Sequence, residues 1–92
     1  MPITTASEFE AVIGQALIKI DKVLYARGDV PAIKDARRVL ETAHDTARDP
    51  AKLKALRQKL SDAIDSLTAE ISDDEDLRHD LWDLTDYIDF GL

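Results

Sequence analysis

No cysteine occurs in the 92 residues, so neither a disulfide framework nor a thiolate metal site can be built. Glycine is confined to Gly14, Gly28 and Gly91, which leaves no glycine-rich loop to cradle a phosphate. Apolar runs are only a few residues long, far short of a membrane span. The opening MPITTASEFE has neither the basic nor the apolar region of a secretion signal, so a cytoplasmic setting and no membrane contact are expected. The length suits one domain, 1–92, with residues 1–6 expected to be a flexible lead-in.

Charge is what the chain has in unusual distribution. Residues 1–72 hold eleven Lys/Arg and eleven Asp/Glu, which cancel. Residues 73–92 hold Asp73, Asp74, Glu75, Asp76, Asp80, Asp83, Asp86 and Asp89 against Arg78 alone, so the net charge of −7 sits in the last fifth of the sequence. Such a field repels nucleic acid and anionic membrane and attracts basic surfaces.

Hydrophobic periodicity predicts an all-α antiparallel four-helix bundle. The first helix, about 7–27, carries Phe9, Val12, Ile13, Ala16, Leu17, Ile20, Val23 and Leu24 at helical spacing, with Ser7 and Glu10 as a capping box. Arg27-Gly28-Asp29 reads as a C-terminal stop followed by a cap, Asp29, for the second helix, about 30–48. The stripe Ile33, Ala36, Leu40, Ala43 and Ala47 there is rich in alanine and implies close approach to a neighbour. Asp49-Pro50 opens the third helix, about 50–71, whose seam is Leu53, Leu56, Leu60, Ala63, Ile64, Leu67 and Ile71. Ser72 and Glu75 form a further capping box for the fourth, about 73–90, with seam Leu77, Leu81, Leu84 and Ile88. Connections this short make consecutive helices antiparallel neighbours.

The fourth helix has more than a seam. Asp80, Asp83, Asp86 and Asp89 recur every third residue, and Trp82 and Phe90 lie on the side away from Leu81, with Tyr87 at the edge. Aspartate is a poor helix former, and Asp86 and Asp89 oppose the negative end of the helix dipole. A surface that breaks local rules in this way points to a partner. Lys52 or Lys59 of the third helix could answer Asp83 or Asp86 and partly neutralise it. The first helix has a weaker outward stripe of Ala11, Gly14, Ile18 and Tyr25.

Other chemistry finds little footing. Glu41-Thr-Ala-His44 and Asp76-Leu-Arg-His79 echo di-iron bundle ligands, but the seams of the first and third helices are apolar and His79 turns away from its own. Glu75, His79 and Asp83 share a face whose spacing is commonplace in so acidic a stretch. Neither histidine has a nucleophile partner, and Lys34, Arg37, Arg38, Lys52, Lys54, Arg57 and Lys59 are interrupted by acids. A non-enzymatic protein with no metal, no cofactor and no direct nucleic-acid binding is expected.

The reading that follows is an acidic helical inhibitor, of antitoxin, immunity or phage-inhibitor type. It docks Asp80, Trp82, Asp83, Asp86, Tyr87, Asp89 and Phe90 on the basic, nucleic-acid-binding surface of a partner protein. The alternative is an assembly protein, homodimeric through the backs of the first and fourth helices, with Gly14, Ile18 and Tyr25 in a second interface.

Overall fold

A computed structural model describes residues 3–91. Four α-helices, α1 (Ala6–Arg27), α2 (Pro31–Asp45), α3 (Pro50–Glu70) and α4 (Glu75–Asp86), are followed by a π-helical turn, Tyr87–Gly91; there is no strand among the described residues. α1 packs on α2, α2 on α3, α3 on α4, and α4 closes the ring on α1. The expected bundle is therefore the observed one.

The core is a single cluster built from the apolar faces of all four helices. Phe9, Ile13, Ala16 and Ile20 enter from α1, and Ile33, Ala36, Leu40 and Ala43 from α2. Leu53, Leu60, Ala63, Ile64 and Leu67 come from α3, and Leu77, Leu81 and Leu84 from α4. No buried side-chain nitrogen or oxygen among the described residues lacks a hydrogen bond.

Several boundaries differ from expectation, each for a local reason. The α1 cap is Thr5 rather than Ser7: the Glu8 amide donates to Thr5 Oγ1 at 3.2 Å, and the Thr4 and Thr5 hydroxyls donate to Glu8 Oε1. Ile3 is buried in the core and α1 begins at Ala6, while 1–2 lie outside the described residues. Val30, not Asp29, occupies the α2 cap and offers no side-chain bond; Asp29 instead pairs with Lys34 at 3.7 Å. α2 stops at Asp45, short of 48, as Thr46 Oγ1 donates to the Thr42 carbonyl at 3.0 Å and the Asp49 amide closes a turn on Thr46. Asp49 caps α3 as expected, accepting from the Lys52 amide at 3.2 Å. Asp74, not Ser72, caps α4, accepting from the Leu77 amide at 3.1 Å. The Ser72 carbonyl is used by Arg78 Nη1 instead.

α4 also ends early. The ladder changes from α to π spacing after Asp86, just past Thr85, whose hydroxyl bonds back to the Leu81 carbonyl at 3.0 Å. The Tyr87 amide is shared between the Asp83 and Leu84 carbonyls. Asp83, Asp86 and Asp89 crowd like charge onto this stretch, which weakens any α-helical continuation.

One side chain gathers three helix ends. Arg27, the last residue of α1, donates to the Glu70 carbonyl at 2.8 Å and holds both oxygens of Asp73 at 2.8 and 2.9 Å. This ties the α3–α4 turn to the end of α1. The guanidinium, with the backbone hydrogen bond beside it, lowers the Asp73 carboxyl below its ordinary value.

Candidate functional site

The expected docking residues divide into two groups. Tyr87 leaves the surface: it is 9% exposed, and its ring stacks on Phe9 with centroids 4.6 Å apart and planes 28° from parallel. Asp80 and Tyr87 are seven residues apart and share the flank of α4 that faces α1, which is why both are drawn inward. Asp80 bonds Lys19 Nζ at 2.6 Å, with only 15% of its side chain exposed. Asp89 lies on the opposite flank, 3.6 Å from Arg57 of α3. Tyr87 is thus a core ring, and Asp80 and Asp89 are braces to the two neighbouring helices. Periodicity had marked Tyr87 as an edge residue but could not show that Phe9 covers that edge.

Trp82 and Phe90 remain outside, 63% and 86% exposed. Glu75, His79, Trp82 and Asp86 fall within about 60° of one another at 100° per residue, along the outer corner of the helix. His79 meets the Trp82 ring edge-on at 6.2 Å, and Glu75, Arg78, His79 and Trp82 line a small recess of about 110 Å³. Among the described residues, Glu75, Asp76 and Asp86 have no cation within ion-pairing distance. Asp83 is half-buried and engaged in an interaction of its own. The α3 cation that answers α4 is Arg57, through Asp89, rather than Lys52 or Lys59 with Asp86.

The corner is therefore less charged than its sequence implies. Asp73, Asp80 and Asp89 are paired with Arg27, Lys19 and Arg57, and Asp74 is occupied in capping. What stays available is a short strip with Glu75 and Asp76 at one end, Asp86 near the other, Trp82 between them and Phe90 beyond.

The back of α1 is a separate surface. Ile18 and Tyr25 are 59% and 94% exposed. The Lys19–Asp80 bond marks the α1–α4 seam; Ile18 lies about 100° outward from Lys19, and Trp82 about 160° round α4 from Asp80. The two apolar groups diverge from the seam, so the backs of α1 and α4 are two separate surfaces.

No group of three or more potential metal ligands is found among the described residues. The larger hollows are open grooves, one of them near 550 Å³ and lined by Val23, Arg27 and residues 73–76. A second, about 440 Å³, runs between α2 and α3 where Ala32, Ala36 and Ala63 let the helices approach. No described helix is long and apolar enough to cross a membrane. Comparisons with protein-family models, with curated proteins and with solved structures find no match for this chain.

Proposed function

We propose that this is a non-enzymatic binding protein that docks the outer corner of α4 on a basic surface of another protein and blocks it. One observation carries the reading: Trp82 is 63% exposed on a helix face whose neighbouring carboxylates, Glu75 and Asp86, have no cation partner among the described residues. A large exposed aromatic costs solvation and is the residue type that most often anchors an interface. Trp82 and Phe90 serve as anchors, while Glu75, Asp76 and Asp86, with Asp83 beside them, steer a cationic partner. Asp80 and Asp89 are turned to Lys19 and Arg57 and take no part in the contact.

The strip suits a groove that otherwise takes nucleic acid. Carboxylates spaced along a helix at 1.5 Å rise per residue resemble a phosphate track, and an indole can occupy the place of a stacked base. The test is recovery of the partner from the native host, followed by binding of the purified pair across a salt series. Trp82→Ala is expected to weaken binding by about 30-fold or more, the size of an interface hot spot. Glu75→Lys with Asp86→Lys should abolish it with the helical signal intact, Asp80→Asn should leave it nearly unchanged, and nucleic acid should compete. Binding indifferent to Trp82 and to the double charge reversal would sink the proposal.

A further inference from the structure

α1 carries an outward surface that the bundle leaves unused. Ala11, Gly14, Ile18 and Tyr25 lie within about 60° of one another at 100° per residue, on the side opposite the buried Phe9, Ile13, Ala16 and Ile20. Gly14 is not required by the fold. Its φ is not positive, α1 runs through it unbroken, and a Cβ built there would meet only His44 Nε2, at an ordinary 4.0 Å. Glycine within a helix is less stable than alanine, which this site could accommodate. A glycine with room for a side chain is explained by something approaching from outside.

The spacing says what approaches. Ala11 stands seven residues before Ile18 and Tyr25 seven after, so the three lie nearly on one line, two helical turns apart. An antiparallel copy of the same helix, related by a two-fold axis through Ile18, sets each Tyr25 ring over Ala11 and Gly14 of the other copy. The large exposed ring then meets the small-residue notch at both ends at once, the self-complementarity that a two-fold interface needs.

Charge agrees. A second copy approaching the α4 corner would bring carboxylates against carboxylates. Across α1 the same operation places Lys22 beside Gln15 of the second copy, and Asp21, already held by Arg37 at 2.7 Å, beside its Gly14. No like charges meet. We propose that the chain forms a homodimer through antiparallel packing of α1 on α1, with Ile18 on the axis and Tyr25 seated in the Ala11–Gly14 notch. The contact runs about 21 Å along the helix and belongs to the small class of interfaces, so the dimer is concentration-dependent. It leaves the α4 corner uncovered and stands or falls independently of the role proposed for that corner.

The absence of cysteine makes the test direct, because a single introduced cysteine is the only labelling site. Sedimentation from micromolar to millimolar protein is expected to show a monomer–dimer equilibrium. Gly14→Ala should weaken it about tenfold through crowding of the notch while raising the melting temperature of the dilute monomer. Tyr25→Ala should abolish the dimer, and Trp82→Ala should leave it unchanged. A spin label at Ser7→Cys, eleven residues from the axis, should report a separation of about 33 Å between copies; parallel packing would bring the labels close together. A chain that stays monomeric at millimolar concentration, a dimer indifferent to Gly14→Ala and Tyr25→Ala, or a short label distance would each overturn the proposal.

Discussion

Replacing Tyr87 by alanine separates a core residue from a binding residue. The ring is 9% exposed and stacked on Phe9, which is fully buried. Truncating a buried aromatic costs about 3–5 kcal/mol, and a stacked pair adds about 0.5–1.5 to simple burial. The site lies at the end of the bundle, where neighbours can settle into the space, so the lower half of that range applies, about 3–4 kcal/mol. A chain of 92 residues has about 5–14 kcal/mol in total, so the loss is a large share of it. At about 4–8 °C per kcal/mol for a domain of this size, the melting temperature should fall by roughly 12–32 °C. Tyr87→Phe is the control. The phenol oxygen has no protein hydrogen bond among the described residues and is not among buried unsatisfied atoms, so removing it should change stability by well under 1 kcal/mol. Thermal and urea unfolding followed by far-ultraviolet circular dichroism measure both variants. A Tyr87→Ala protein that melts within a few degrees of the parent would refute the reasoning, and Tyr87 would return to the surface residues.

Two further perturbations probe the joints between helices. Gly28 has φ +85° and ψ −177°, a region closed to side-chain-bearing residues, so Gly28→Ala should cost about 1–3 kcal/mol; nothing lies within 4 Å of the added Cβ, so the cost is backbone strain rather than a clash, and urea denaturation reads it. Arg27 holds the Asp73 carboxyl below the ordinary 3.8, so the unfolded chain takes up this proton first on acidification. The pair's contribution is therefore fully present above the unfolded value and is lost as pH falls through the lower, folded one. Melting curves of the parent and Arg27→Met should differ at neutral pH and draw together at the acid end; a constant gap would show that Asp73 is not the group involved.

Seams were the legible part of this fold, because each apolar residue is repeated every turn and one misread position does not move the stripe. Caps were less legible. Thr5 and Ser7, Asp29 and Val30, Ser72 and Asp74 are close alternatives, and the choice depends on where the preceding chain arrives, as Ile3 entering the core does for α1. The candidate surface was legible only as a list of outward positions. Trp82, Phe90, Ile18 and Tyr25 are exposed as their wheel positions imply. Tyr87, Asp80 and Asp89 depend on the flanking helices, and no single-helix pattern contains Phe9, Lys19 or Arg57. Charge counting had the same blind spot: it registers the concentration of acid but not the cations that fold onto it from α1 and α3.

Those cations bear on a choice that hydrophobic packing leaves open. Four antiparallel helices can be arranged around one core turning either left or right, and a symmetrical apolar seam serves both arrangements. α4 is not symmetrical about its seam. Asp80 and Tyr87 lie on one flank, meeting Lys19 and Phe9 of α1, and Asp89 on the other, meeting Arg57 of α3. In the opposite turn the flanks exchange neighbours, and these contacts are lost together. The acids that brace α4 therefore add a bias toward the observed turn that its leucine seam by itself does not carry.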